Sequence, residues 1–158
     1  MIKLFKITVI SLLLLLGLIS CDSNPNYEDY NTHKPMNVSV RGNSTETLEK
    51  VQKLFNEQNY EQANVHLARL AGYYTNNLDI QFYYGITFLE TDQFPIAKTI
   101  FNKILLSKNV ELINDSKWYL ALMALKQNDL KTCKLFLEQI PKDANNYKQV
   151  KSLLKKVS

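Results

Sequence analysis

Residues 58–63 read Gln-Asn-Tyr-Glu-Gln-Ala, and the same arrangement returns twice further along the chain. Residues 92–97 read Asp-Gln-Phe-Pro-Ile-Ala, and residues 128–133 read Asn-Asp-Leu-Lys-Thr-Cys. Each stretch has polar residues, then a large apolar residue, then a small residue three positions later. The small residues that end the three stretches are 34 and 36 positions apart. A nearly constant spacing of this length indicates a structural repeat.

Large apolar residues follow each small residue at helical spacing. Four positions later come Leu67, Phe101 and Leu137, and three positions after those come Leu70, Ile104 and Ile140. Because residues with these spacings share one face of an α-helix, each stretch predicts the start of an amphipathic helix. Pro95 falls in the first turn of one of them, where its missing N–H is not needed.

Residues 44–141 resemble the tetratricopeptide repeat, a helix-turn-helix unit of 34 residues. Gly85 and Ala121 lie twelve positions before Ala97 and Cys133, where the first helix of such a unit carries a small residue. The chain departs from the family at Val51, which replaces the first unit's small residue, and at Trp118, which lies one residue nearer its turn. Two extra residues also precede the third turn. The resemblance implies an all-α solenoid whose units stack because none covers its own apolar face.

Three units predict six helices and a cap. We place the helices at residues 44–57, 60–73, 77–91, 94–108, 111–127 and 129–140. Asn43 with Glu46, and Asn59 with Gln62, have the spacing of a capping box. Repeats thus occupy residues 44–143, and residues 144–158 predict a capping helix with Lys148, Lys151, Lys155 and Lys156 on its polar face. We interpret these lysines as a solvated face, with anionic lipid headgroups as the alternative contact.

The first twenty residues predict a secretory leader. Lys3 and Lys6 precede a nearly unbroken apolar run over residues 7–19, which is too short to span a bilayer comfortably. The run ends in Leu18-Ile19-Ser20-Cys21, which resembles the lipobox of bacterial lipoprotein precursors. The resemblance implies cleavage of residues 1–20 and acylation (palmitate or a similar fatty acid) of Cys21, which would anchor the chain on the periplasmic side of a membrane. The alternative is a plain signal peptide, or an uncleaved N-terminal helix, in which Cys21 is incidental.

Residues 21–43 predict a flexible tether between the lipid and the repeats. Polar and turn-forming residues dominate there, Pro25 and Pro35 interrupt it, and no helical period is present. A short docking strand at Tyr27, Tyr30, Val38 and Val40 is the alternative. Asp22 is similar to an inner-membrane retention signal of enteric bacteria, whereas the Asn, Lys, Ile and Tyr content is similar to Bacteroidota-type proteomes. Inner and outer membrane both remain open.

Catalytic, cofactor and nucleic-acid sites are not predicted. The sequence has no glycine-rich phosphate loop, no His-x-x-x-His or Cys-x-x-Cys metal spacing and no Gly-x-Ser-x-Gly elbow. The net charge of +4 includes two leader lysines, and no basic stripe with interleaved aromatic residues suggests nucleic acid. Cys133, in an apolar helical stretch, is interpreted as a small buried side chain. We therefore expect a protein that is not an enzyme, with no cofactor and no metal.

The resemblance implies a binding surface instead. In the tetratricopeptide family, the first helices of successive units line a concave groove that holds extended peptides or partner helices. Carried over to this chain, the groove positions are Gln52, Phe55 and Asn56 in the first unit, Phe82, Ile86, Leu89 and Glu90 in the second, and Trp118, Leu122 and Lys126 in the third. Core packing between helices is the more ordinary role for Phe82, Leu89 and Leu122.

Three functional hypotheses follow. The first is a membrane-tethered adaptor of the cell envelope that binds a protein or peptide in the groove. The second is a structural subunit buried in an outer-membrane assembly or secretion complex, and the third is a regulatory periplasmic sensor. A large exposed apolar groove would favour the first two.

Overall fold

The computed structural model describes residues 24–39 and 45–158. In this part of the chain every regular element is helical. The seven α-helices are α1 (Thr45–Asn56), α2 (Tyr60–Tyr73), α3 (Leu78–Glu90), α4 (Phe94–Leu105), α5 (Val110–Lys126), α6 (Leu130–Leu137) and α7 (Tyr147–Val157), and a single 3-10 turn covers Tyr27–Asp29. The predicted all-α fold is confirmed.

The helices pack in the order in which they occur along the chain. Each one contacts the next, from α1 with α2 through to α6 with α7, and α3 also contacts α5. The pairs α1–α2, α3–α4 and α5–α6 are therefore three helix-turn-helix units, and α7 covers the last of them. This arrangement is the predicted repeat solenoid with its capping helix.

The turns inside the three units have the same backbone geometry. Gln58, Asp92 and Asn128 have φ angles of 61°, 59° and 60°, in the left-handed region. In each turn the following residue donates its N–H to a carbonyl five positions back, as Asn59 does to Leu54. Such 6→1 bonds close a helix C-terminus and satisfy carbonyls that the helix leaves unpaired. The sequence repeat is thus a repeat of one turn structure.

Asparagine or aspartate side chains begin four of the helices. The side chains of Asn59, Asn77, Asn109 and Asp129 accept hydrogen bonds from the backbone N–H three residues later. These bonds satisfy amides that have no partner within the helix. The cap predicted at Asn59 is confirmed, whereas the one at Asn43 lies outside the described residues.

The small residues of the repeat allow neighbouring helices to approach closely. Ala63, Ala97 and Cys133 have no exposed surface. A Cβ atom added to Gly85 would lie 2.9 Å from Cε1 of Phe101, on the facing helix α4. The prediction that this position needs a small residue is confirmed by that distance.

Three helix ends differ from the predicted ones by three residues each, and the other described ends by no more than one. Helix α4 ends at Leu105, where Leu106 and Ser107 already form turns with the carbonyls of the last turn. Helix α6 ends at Leu137, where the N–H groups of Gln139 and Ile140 form turns with the carbonyls three residues before them. Helix α7 begins at Tyr147, because residues 144–147 form a turn closed by the Tyr147 N–H and the Ala144 carbonyl. Among the described helices, none has the length and apolarity to cross a membrane.

Candidate functional site

Residues 24–39 lie on the face formed by α1, α3 and α5, which we call the groove. Tyr27, Tyr30, Met36 and Val38 of this segment are at most 9% exposed. The flexible tether predicted for residues 21–43 is therefore not what the structure has over residues 24–39. Their polar composition could not form a core of its own, but four apolar side chains are enough when a groove is already formed. The alternative, a short docking strand at Tyr27, Tyr30, Val38 and Val40, is nearer in that the segment docks. The described residues nevertheless form irregular chain and a 3-10 turn and no strand, and Val40 lies outside them.

Side chains of α1 and α3 hold the backbone of the segment. The Met36 N–H donates to Asn56 Oδ1 (2.7 Å), and Asn56 Nδ2 donates back to the Met36 carbonyl (3.3 Å). The Val38 N–H donates to Gln52 Oε1 (3.0 Å), and the Tyr83 hydroxyl donates to the Pro35 carbonyl (3.1 Å). These contacts recognise an extended main chain without regard to its side chains.

A buried carboxylate receives two side chains of the segment. The Tyr27 hydroxyl donates to Glu90 Oε1, and His33 Nε2 lies 2.8 Å from the same oxygen. Because a carboxylate only accepts, Nε2 carries the hydrogen in this contact. His33 Nδ1 lies 2.9 Å from the Tyr119 hydroxyl, and its ring packs against Phe55, Tyr60 and Tyr119. The His33 side chain is only 5% exposed.

The electrostatics of this cluster keep Glu90 ionised. Burial by itself would raise the pKa of Glu90, but the hydrogen bonds from His33 and Tyr27, with the charges of His33 and Lys126, hold it below the ordinary value. Burial, followed by the charge of Glu90, raises the pKa of Tyr27 far above its usual range. Tyr27 is therefore a neutral donor to an ionised acceptor, which is the stronger kind of hydrogen bond.

Lys34 of the segment meets two further carboxylates. Its Nζ lies 3.0 Å from Asp115 Oδ2 and 3.3 Å from Glu111 Oε1, both on α5. Partial burial lowers the pKa of Lys34, but Asp115 and Glu111 outweigh that effect and raise it. Burial raises the pKa of Asp115 by more than Lys34 lowers it. Asp115 therefore lies where a carboxylate is costly to ionise unless a cation accompanies it.

The N-terminal half of the segment lies against α5 and α7. The Tyr30 ring meets the Trp118 ring edge to face, with centroids 6.3 Å apart. Lys126 Nζ lies 5.0 Å from the centroid of the Tyr27 ring. Lys156 of α7 lies 5.6 Å from the Tyr30 ring and 3.8 Å from Asp29 Oδ2. Lys156 is exposed, as predicted for the polar face of α7, and its side chain also borders the segment.

Most of the predicted groove residues contact the segment. Gln52, Phe55, Asn56, Glu90, Trp118 and Lys126 do so through the contacts described above, and Phe82 lines a small cavity beside Thr32 and Lys34. Ile86, Leu89 and Leu122 have no exposed surface and belong to the core, so their assignment to the groove is wrong. Phe82 and Trp118 are themselves only 3% and 5% exposed, because the segment and the neighbouring helices cover them.

Six contact residues were not predicted: Tyr60, Tyr83, Glu111, Asp115, Tyr119 and Lys156. Three of them lie on α5 at positions 111, 115 and 119, with Lys126 seven residues further, so they share one face of that helix. Trp118 lies one residue away from the position that the family spacing predicts. A one-residue shift of the predicted groove positions on α5 would have included Tyr119. Tyr83 and Lys156 carried no comparable signal.

The described part of the chain offers neither a metal site nor a reactive thiol. Among residues 24–39 and 45–158, no group of three His, Cys, Asp or Glu side chains is arranged to hold a metal ion. Cys133 is fully buried, and burial raises the pKa of its thiol to about 12. A thiol in this environment is protonated and inert near neutral pH.

Comparisons with known proteins give no relative from which a function could be inferred. No family model matches the chain, and neither a curated protein nor a solved structure is significantly similar to it. The groove, its occupant and the sequence patterns are therefore the features that bear on function.

Proposed function

We propose that this chain is a lipid-anchored adaptor of the bacterial cell envelope whose groove binds an extended segment of another protein. The observation that carries the proposal is the seating of residues 24–39 in the groove. A surface that holds one extended segment by its backbone has the chemistry to hold another.

The polar groups that contact the segment support this proposal. Gln52, Asn56 and Tyr83 hydrogen-bond to the main chain of the segment at Val38, Met36 and Pro35, respectively. Side-chain amides at fixed positions on helices are a common means of aligning an extended peptide, because each one offers a donor and an acceptor. The similarity of residues 44–141 to tetratricopeptide repeats favours the same role for this face.

The envelope location rests on the sequence. The leader over residues 1–20 and the lipobox-like ending at Cys21 favour secretion and acylation. Several acyl chains on one cysteine would hold the protein on a membrane, and that position would raise its effective concentration for membrane-bound partners. These residues lie outside the described part of the chain.

A structural subunit is the second candidate, and one observation favours it. The second helices of the units carry exposed apolar side chains: Val65 on α2 (65% exposed), Ile96 on α4 (43%) and Leu135 on α6 (52%). If the groove is permanently filled by residues 24–39, contacts with a larger complex would use surfaces such as these.

Photocrosslinking in the native envelope separates the two candidates. A benzophenone amino acid replaces Tyr83 in the groove in one full-length variant and Leu135 on α6 in another. We expect the residue 83 probe to crosslink an extended segment of a second protein, mapped by mass spectrometry, and the residue 135 probe to give no such product. A partner crosslinked only from residue 135, with intrachain products alone from residue 83, would contradict the adaptor and support the structural subunit.

A further inference from the structure

We propose that the groove selects extended segments that place a cation against Asp115 and Glu111, and that residues 24–39 compete with such segments for this site. This inference rests on the proposed function and names the chemical class of its ligand. A partner segment would carry lysine or arginine where Lys34 lies, a donor side chain where His33 lies, and apolar side chains on both sides.

The acceptors belong to the helices and stay when the segment leaves. Glu90 is on α3, and Glu111 and Asp115 are on α5, whereas Tyr27, His33 and Lys34, which hydrogen-bond or neutralise them, are on the segment. When the segment leaves, Asn145 still donates to Glu111 and Lys126 still lies near Glu90, but Asp115 loses its cation. Asp115 is 7% exposed in the occupied groove. An acidic segment would bring like charges to this face, so electrostatic complementarity selects against it.

The site around Lys34 is larger than a lysine side chain requires. A cavity of about 350 Å³ adjoins it, lined by Glu111, Asp115, Asp143 and Asn146 among others. Asn146 is 8% exposed, and within the described residues neither of its side-chain polar atoms has a hydrogen-bond partner. Asn146 also lines the smaller cavity that Lys34 borders. An arginine has five donors in a planar fork and would reach both Asp115 and Asn146, so we expect arginine to bind more tightly than lysine here.

The manner in which residues 24–39 are held allows exchange. Apart from one 3-10 turn, the segment has no regular structure. Its hydrogen bonds to the helices run through helix side chains, namely those of Gln52, Asn56, Tyr83, Glu90, Glu111, Asp115 and Tyr119. It can therefore leave without breaking any backbone hydrogen bond within a helix. Units attached in this way open at lower free energy than the whole domain.

The test measures binding of a fluorescent peptide with the sequence of residues 24–39 to the full chain in detergent micelles. One chain variant loosens its own segment with Tyr27→Ala and His33→Ala. A second uses Lys34→Glu, which changes a half-exposed side chain and leaves the core untouched. We expect both variants to bind the peptide about ten-fold more tightly than the wild-type chain does, because in the wild-type chain residues 24–39 compete with the peptide for the groove. No binding to either folded variant would overturn the competition.

Peptide variants test the ligand class on the same loosened chains. We expect Lys34→Arg to bind most tightly and Lys34→Glu to bind about ten-fold more weakly than the native peptide. The control peptide carries Asn37→Glu with Ser39→Glu, which makes the same net charge change at two exposed positions. Equal binding of the Lys34→Glu peptide and this control would overturn the proposed selectivity.

The two proposals fail in different ways. If the peptides do not exchange but residue 83 crosslinks a partner in the envelope, the ligand class is wrong and the adaptor function stands. If the peptides exchange with the expected order but only residue 135 crosslinks a partner, the selectivity is a property of the groove and the adaptor function is wrong.

Discussion

Glu90 is the residue on which most of the groove's chemistry converges. Its carboxylate accepts from both Tyr27 and His33, and Lys126 lies near enough to help lower its pKa. The sequence placed Glu90 in the groove through the family resemblance, but it placed Tyr27 and His33 in a tether. A residue's position on a helix follows from periodicity, whereas its partner 57 positions away does not.

Acid should weaken the folded state through Glu90. Because the pKa of Glu90 is lower in the folded chain than its ordinary value of 4.5, its contribution to stability is complete above that value and is lost as the pH falls through the folded pKa. We expect Glu90→Gln to be less stable than wild type near neutral pH and to lose less further stability below about pH 4.5. Denaturant titrations at a series of pH values measure this.

Two comparisons make the acid experiment specific. Burial raises the pKa of Asp115, so protonation of Asp115 at low pH favours the folded state, which is opposite to the effect of Glu90. This contribution is present in both the wild-type chain and the Glu90→Gln variant. Exposed Glu49→Gln is the matched control and should follow the wild-type pH profile. Parallel profiles for wild type and Glu90→Gln would contradict the assigned role of Glu90.

Gly85 and Gly72 should respond in opposite ways to alanine. A Cβ on Gly85 would lie within 3.2 Å of three side-chain atoms of α4, whereas a Cβ on Gly72 would have no atom within 4 Å. We expect Gly85→Ala to destabilise the domain by about 1–3 kcal/mol through overpacking. Gly72→Ala should stabilise it by about 0.5–1 kcal/mol, because alanine loses less backbone entropy in a helix. Equal effects in thermal denaturation would contradict the close approach of α3 and α4.

At the scale of elements, the helices could be predicted and the docked segment could not. Polar turns at residues 58, 92 and 128 and apolar residues at helical spacing fix where helices begin, and these are local properties of the chain. Residues 24–39 have no period, and their buried side chains gain their stability from a surface made by three distant helices. Composition alone therefore predicts disorder for a segment that is ordered by its neighbours.

The amide contacts of α1 should hold the segment in place. Asn56 both accepts from and donates to the backbone of Met36, so Asn56→Ala removes two hydrogen bonds at one position. We expect the Met36 N–H to exchange with deuterium about ten-fold faster in this variant, with little change in the helices. The control is Asn64→Ala, which removes a hydrogen bond to Thr87 between α2 and α3 and should leave Met36 protected. Unchanged exchange at Met36 in Asn56→Ala would mean that other contacts dominate.

For the whole molecule, docking of residues 24–39 changes the distance between the repeats and the proposed lipid. A free tether of about twenty residues would let the domain move far from the membrane. With the segment docked from Asn24 onward, only Asp22 and Ser23 lie between Cys21 and the docked chain, and the three Cα–Cα steps from Cys21 to Asn24 span at most roughly 10 Å. Release of the segment by a partner would then also lengthen the tether.

The lipid anchor has its own test. We expect Cys21→Ser to abolish labelling by a radioactive fatty acid and to leave a larger, unprocessed precursor, since the lipobox cysteine supplies the acceptor thiol. Cys133→Ser, which alters a buried thiol, is the control and should label as wild type does. Labelling that persists in Cys21→Ser would contradict the anchor, and a normally processed soluble form would support a plain signal peptide instead.

The central claim is that residues 24–39 occupy the groove of their own chain, and the single tryptophan allows a direct measurement of it. In the NMR spectrum of the full chain in micelles, we expect cross-peaks between the Tyr30 ring and the Trp118 indole, and between the His33 and Tyr119 rings. Narrow random-coil resonances for residues 24–39, without any cross-peak to α5, would contradict the account and return this segment to the flexible tether that its composition predicts.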